Sequence, residues 1–455
     1  MDKEKELMDL LNSDDPIVRK DAVESMDSAI PSEEILKKIC DLVTDTDKGI
    51  RNTVSMKLTM NKNWPSAKYL IDYISSENIS VRNLAGEILL NIGINAVRSL
   101  EERIHSANNA DQKFILDLLG LIGDSSVGKT ALEVLNTSKC DNVILACVEA
   151  LGNIAYADAV ESLIQLFDKN ELYQPSIIEA LGKIGGSDAL NFMMDKYNEV
   201  DELTKFSVIE GLAAAGDAGT FFFLLNNLYN TSGPLVWSLI HSIAELKNKY
   251  GFDIPYDEKI RNMILRTISE GEEQFRHSAV QLAVNFHDAD TTEQLLKIYG
   301  NDDMLEEDIR QNLYANNQNV LLKLPNIIKQ QPENLKELLF LLNDIVEMNI
   351  DQIATVPLHN LNDALTQCLT NTSEEVRRTS IELLFKLDEE IALLFIDIMI
   401  EDENIWNRMR LIELLQNSKS PIAEDALLRL QNDTDEMVSE TAKQILSERQ
   451  SEIQN

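Results

Sequence analysis

The stretch Gly123-Asp-Ser-Ser-Val-Gly128-Lys129-Thr130 satisfies G-x-x-x-x-G-K-[ST], a pattern whose backbone amides can cradle phosphates while lysine and hydroxyl engage phosphate and magnesium. That chemistry requires a strand before the loop and a helix after it. Here the preceding residues, FILDLLGLIG, have helical periodicity, and Gly128 aligns with Val160, Leu190 and Phe221 of neighbouring segments, in the body of the next helix. No apolar strand ending in a magnesium-binding aspartate follows, and no N-K-x-D guanine motif occurs, NKYG at Asn248 being the nearest. We read the match as a coincidence of the turn and expect no nucleotide or other cofactor.

Metal and thiol chemistry find no better footing. Cys40, Cys140, Cys147 and Cys368 contain no C-x-x-C pair, so neither zinc spacing nor a disulfide framework is present. His287-Asp288 is a lone pair of the kind found in turns. The expectation is a chain with no catalytic residue and no metal site.

These residues sit in a repeating element. Val81–Gly93 reads VRNLAGEILLNIG, and cognate segments end at Gly123, Ala155, Gly185 and Gly216, spaced 30, 32, 30 and 31 residues apart. A period of about 31 belongs to stacked helical hairpins. With Val81 as position 1 of the second helix in each pair, apolar residues fall at positions 1, 4, 5, 8, 9 and 12, one helical face. Glycine at position 13 should end the helix by adopting the left-handed turn. The helix after it opens with Asp158 or Asp188, each an expected N-cap.

A single core stops growing near 250 to 300 residues, but a repeat array escapes that limit because each unit packs only on its neighbours. The 455 residues carry a formal charge of −36, distributed as −8 over 1–150, −11 over 151–300 and −17 over 301–455. Such a field repels phosphate backbones and anionic lipid, which argues against nucleic acid and membrane surfaces as partners. The start, MDKEKELMDLL, lacks the basic-then-apolar order of a signal peptide, and the longest apolar candidate, Ile391–Ile400, is interrupted by Asp397. The expected compartment is the cytoplasm.

D-x-x-V-R before the second helix, A-L-G-x-I-G at its end and D-A-x-x-x-L after it resemble HEAT and HEAT-like (phycobilisome-lyase-type) repeats. The matching pieces include Asp14–Met26, Gly49–Leu58, Ile79–Gly93, Val148–Leu163, Ile178–Leu190 and Ser373–Leu387. The resemblance implies an all-α fold, an α-solenoid or superhelix of stacked antiparallel helix pairs. It is strong from 1 to about 246, weak through the middle, and returns from about 360 to 448. We accordingly expect an N-terminal array over 1–248, an irregular helical segment over 249–358, where Gly251 and Pro255 break the period and which also contains Pro325 and Pro332, and C-terminal repeats with a polar, fraying tail over 359–455. Deoxyhypusine hydroxylases, which share the repeat, use His-Glu pairs that are missing here, since His105, His241, His277, His287 and His359 are followed by Ser, Ser, Ser, Asp and Asn. DNA-glycosylase relatives need a basic concave surface, and no lyase chromophore site is identifiable.

Two positions of the second helix point outward. Position 7 holds Glu24, Met56, Glu87, Asp117, Glu149, Glu179, Glu210 and His241, with Glu382 and Glu413 in the corresponding C-terminal places. It lies about 130° from the centre of the apolar face, so an acidic, solvent-facing ladder is expected. Position 3 begins as Lys20, Asn52, Asn83 and Lys113, then turns apolar as Leu145, Pro175, Phe206 and Trp237. Either neighbouring second helices cover these side chains, or they form an apolar ridge with an acidic rim suited to a basic, partly apolar protein segment. The Phe221–Phe223 triplet spans too much of its helix to share one face and reads as packing between repeats.

The candidate partner-binding ridge is Leu145, Glu149, Glu179, Phe206, Glu210, Trp237 and His241. The function expected is a non-enzymatic scaffold that binds other proteins along a concave face. A regulatory signalling adaptor, or an enzyme or lyase accessory with a pocket in 249–358, are the alternatives. Partner identity and oligomeric state stay open.

Overall fold

A helix pair with one apolar face cannot bury it alone, so the repeats must stack. In the computed structural model, which describes residues 2–349 and 355–454, the chain is built of α-helices and short 3-10 turns, with no strand among the described residues. It forms two compact units, Met1–Phe252 and Asp253–Asn455, each an α-solenoid of stacked antiparallel helix pairs.

The second helices of the first unit are α1 (Pro16–Glu24), α2 (Lys48–Met60), α3 (Ile79–Ile92), α4 (Asn109–Ile122), α5 (Asp141–Asn153), α6 (Gln174–Ile184), α7 (Glu202–Ala215) and α8 (Leu235–Tyr250), and each packs on the next. The apolar positions point inward: Val81, Ala85, Ile88, Leu89 and Ile92 of α3 are buried, with Leu84 half-buried. Side-chain caps satisfy the first amides of several of these helices, Asp15 accepting from Ile17 N, Asp47 from Ile50 N, Asn78 from Ser80 N and Asp201 from Thr204 N.

Two local expectations need correction. Asp158 lies inside a 3-10 turn, Ala157–Ala159, and Asp188 is the second residue of Ser187–Lys196, so neither is an N-cap. The capping aspartates are Asp124, which accepts from Ser126 N at 2.8 Å, and Asp217, which accepts from Thr220 N at 3.0 Å. Both stand directly after the stop residue. Gly93, Gly123 and Gly185 do have positive φ (71°, 76° and 70°), but Gly216 has φ −65°. Its glycine is demanded by space, since a Cβ there would lie 2.2 Å from the Leu212 carbonyl oxygen. Pro325 sits inside the helix Asn317–Ile328. The polar tail from Ser447 remains helical to Gln454.

Two devices fasten one repeat to the next. One is electrostatic. At position 2 of the second helix, Arg19 makes two hydrogen bonds to Asp45 of the following repeat, at 2.9 and 3.0 Å, and a third to the Ser13 carbonyl oxygen. In the second unit Arg377 clasps Asp402 (2.8 and 2.9 Å), Arg408 clasps Asp433 (2.8 and 3.0 Å), and Arg261 reaches Asp288 at 3.0 Å. These pairs are sheltered, the Arg377 and Asp402 side chains being 11% and 3% exposed. Burial alone would raise the carboxyls of Asp45, Asp402 and Asp433. Their arginine partners and backbone amides outweigh it and hold all three below the usual carboxylate range.

The second device is a seam of missing side chains. A Cβ on Gly120 of α4 would lie 2.9 Å from Ala150 Cα of α5, one on Gly152 of α5 would lie 2.7 Å from Ala180 Cα of α6, and one on Gly182 of α6 would lie 2.6 Å from Gly211 Cα of α7. The A-L-G triplets therefore dock backbone on backbone. Position 2 in these repeats is Gln112, Ile144, Gln174 and Lys205, none able to reproduce the arginine clasp.

The depressed aspartate values fix the sign of the pH dependence. A carboxyl lowered in the folded state contributes stability above its unfolded value, near pH 4, and loses it as pH falls through the lower folded value. Asp402→Asn should therefore cost about 3 kcal/mol at pH 7, because Arg377 is left buried without its counter-charge. Its urea midpoint should also fall less than that of the wild type between about pH 5 and pH 2; parallel acid profiles would count against the clasp. At the seam, Gly182→Ala gains about 1 kcal/mol in helix propensity but must push α6 and α7 apart. A net loss of about 1–2 kcal/mol by urea unfolding is expected, and a net gain would show that the contact can relax.

Candidate protein-binding ridge

Positions 3 and 7 of a helix are one turn apart and share a face, so whatever α5 to α8 present there forms two parallel rows. The outer row is acidic and exposed at Glu149, Glu179 and Glu210; His241 is half-exposed and 3.7 Å from Glu245. The inner row, Leu145, Pro175, Phe206 and Trp237, is half-buried. These side chains are neither core nor free of their neighbours: each is partly covered and keeps part of its surface in solvent.

The structure adds two residues that the pattern reading missed. Leu172 and Leu203, one place before the first apolar position of α6 and α7, are 61% and 75% exposed. They lie a turn N-terminal to Pro175 and Phe206 and extend the apolar row along the same face. The signal in the sequence was weak: the sister positions hold Ser80, Ala110 and Asn142, but also Ile17, Trp406 and Met437, which are exposed as well. What sets Leu172 and Leu203 apart is that they fall in two successive repeats.

The carboxylates of the ladder are not equivalent. Glu24 is paired with Lys20 (3.2 Å), Asp117 with Lys113 (2.7 Å) and Glu179 with Lys183 (2.6 Å), all within one helix. Lys183 also donates to Asn153 Oδ1 of the preceding repeat at 2.9 Å. Glu87, Glu149 and Glu210 make no ion pair among the described residues. In the second unit Arg410 bridges Glu382 at 2.8 Å and Glu413 at 2.6 Å, so the expected C-terminal rungs are already neutralised.

Between α4 and α5 the ridge contains a hollow of about 330 Å³, lined by Leu116, Asp117 and Leu121 on one side and Ala146, Glu149 and Ala150 on the other. The close approach at Gly120 forms part of its wall.

Elsewhere the side chains that suggested chemistry are engaged in structure. Gly123 ends α4 in the left-handed conformation, Ser125–Val127 is a 3-10 turn, and Gly128 opens the helix Gly128–Thr137. Gly128 is needed because a Cβ would fall 2.2 Å from the Tyr156 ring. The Thr130 hydroxyl donates to Glu101 at 2.8 Å. The segment is a helix-to-helix turn with no strand in front of it. His287 Nδ1 lies 2.9 Å from the Asn316 amide, and Asp288 caps a helix while holding Arg261. No group of three or more His, Cys, Asp or Glu is disposed to hold a metal ion among the described residues, and no helix there is long and apolar enough to cross a membrane. In the phenylalanine triplet, Phe221 is fully buried, Phe223 meets Tyr197 edge-on with centroids 5.6 Å apart, and Phe222 stays exposed.

With this geometry in place, comparison with known proteins bears on the repeat. No curated protein sequence matches the chain. Among solved structures, Kap95p in a study of its binding to RanGDP is similar at 11% identity, covering 99% of this chain and 75% of that one with a TM-score of 0.48. Yeast importin-beta (Kap95p) is similar at 12% identity, covering 99% and 74% with a TM-score of 0.44. An engineered protein aligns over 98% of both chains at 16% identity with a TM-score of 0.22. The family of HEAT repeats matches residues 128–213, from the helix after α4 to near the end of α7, which takes in Gly152 and Gly182 of the seam and most of the ridge. Residues 128–213 are thus HEAT repeats, and the helix pairs on either side are built on the same plan.

Proposed function

We propose that this chain is a non-enzymatic scaffold that holds partner proteins along the ridge of α5 to α8, and that the region it grips is basic and partly apolar. One observation carries the reading: large apolar side chains, Leu172, Leu203, Phe206 and Trp237, keep solvent-facing surface on three adjacent repeats, bordered by the exposed carboxylates of Glu149, Glu179 and Glu210. A solvated helical face gains nothing from leucine and tryptophan, whereas an interface takes most of its affinity from such anchors. The rim contributes encounter rate and orientation, with a net charge of −36 behind it to draw in a cation-rich surface. Cys40, Cys147 and Cys368 are buried unpaired thiols, which fits a reducing compartment such as the cytoplasm.

The test is affinity purification with quantitative mass spectrometry at low and high salt, using wild type and the Phe206→Ala/Trp237→Ala double variant. Specific partners should fall away as salt rises and should be lost by about tenfold or more in the variant. Its helicity and melting temperature should stay close to wild type. If partner loss comes only with an equal loss of stability, the two aromatics serve packing and the reading fails.

A further inference from the structure

The hollow between α4 and α5 differs from the rest of the ridge in having both a floor and a charge. Gly120, Ala146 and Ala150 leave it open above the fully buried Leu116, and Leu121, 63% exposed, gives it an aliphatic side. Lys113 and Asn153 complete the lining. Of its two carboxylates, Asp117 is held by Lys113 at 2.7 Å, while Glu149 is exposed and has no ion-pair partner among the described residues. A side chain entering from solvent thus meets the aliphatic side of Leu121 and, once Lys113 and Asp117 have answered each other, one uncommitted negative charge. Lysine and arginine have that form, an aliphatic stem that packs and a cationic head that stays near water. An apolar side chain would use the floor and leave Glu149 unanswered; a short polar one would reach neither.

We propose that this hollow receives a lysine or arginine of the partner, its stem against Leu121 and its head at Glu149. The inference rests on the ridge reading above and places the cationic end of the bound segment beside Leu145, with the apolar anchors following over α6 to α8. It also assigns unequal roles to neighbouring rungs. Glu149 recognises the partner, whereas Asp117 and Glu179, tied to Lys113 and Lys183, orient their own helices.

The experiment uses the full chain and fluorescence anisotropy with four leucine- and alanine-rich peptides that differ only at one central residue: arginine, lysine, citrulline or norleucine. The arginine and lysine peptides should bind about tenfold more tightly than the other two. Glu149→Gln, at an exposed site, should erase that difference without changing the melting temperature, and Asp117→Asn should leave it intact. Equal binding of the norleucine peptide, a preference that survives Glu149→Gln, or no binding by any of the four would overturn the proposal. If Phe206→Ala/Trp237→Ala weakens all four peptides while Glu149→Gln changes none, the ridge stands and the hollow's cation falls.

Discussion

The distance between one second helix and the next is the constraint from which the rest of this architecture follows. A helix pair of some thirty residues has too little interior to fold alone, and its stability comes from the face it shares with its neighbours. Between α4 and α7 that face is closed to backbone contact by Gly120, Gly152 and Gly182, each meeting an alanine or glycine of the following helix. Approach this close leaves no room for side chains in the seam. Residues about one and two turns away, at positions 7 and 3, are consequently turned out along the rim, where they sit in parallel rows. The ridge is a by-product of tight docking as much as a feature in its own right.

The repeats away from the seam solve the same problem by other means. At Arg19, Arg377 and Arg408 the arginine at position 2 reaches into the next repeat's loop and clasps an aspartate, and Arg261 does the same from its own helix, whereas Arg51 and Arg82 at position 2 donate only to carbonyl oxygens of the loop before them. Such pairs are directional and sheltered, and they fix the turn between helices as well as the spacing of repeats. In the ridge repeats the equivalent residues are Ile144, Gln174, Lys205 and Val236, and the burden passes to van der Waals contact between backbones. The two modes respond to different conditions. Protonation weakens the clasp, whereas the seam is indifferent to charge and intolerant of volume.

Much of this could be read from residue order alone, and the failures are instructive. Period, helix faces and stop residues depend on local chain geometry, so the alternation around Val81–Gly93 and the positive φ at Gly123 and Gly185 were legible. Gly216 and Gly128 were not, the first because it is fixed by crowding against Leu212 and Thr220, four residues to either side, and not by a left-handed turn, the second because it answers a distant contact with the Tyr156 ring. The A-L-G triplets were visible as a motif but not as a seam, since their meaning lies between repeats. The caps at Asp158 and Asp188 failed because helical backbone begins one residue before each, at Ala157 in a 3-10 turn and at Ser187 after Gly186. As for the ridge, residue order placed Phe206 and Trp237 on the outward side but could not divide them between cover and exposure. It passed over Leu172 and Leu203, which lie just outside the helical template.

The charge of the chain is a poor guide to where recognition happens. A net −36 creates a broad field that speeds encounter with any cationic surface and discriminates little among them. Discrimination has to come from carboxylates that are not already satisfied, and on the ridge these are few. Glu179 spends its charge on Lys183, Asp117 on Lys113, and in the second unit Arg410 answers both Glu382 and Glu413. Glu149 and Glu210 remain, two repeats apart, with Pro175 and Leu172 between them and Phe206 and Leu203 beside the second. On the proposed binding face the acidic and apolar rows run side by side, so a segment lying over both would make its charged and apolar contacts together, and a shallow helical face can select a sequence in that way without enclosing it.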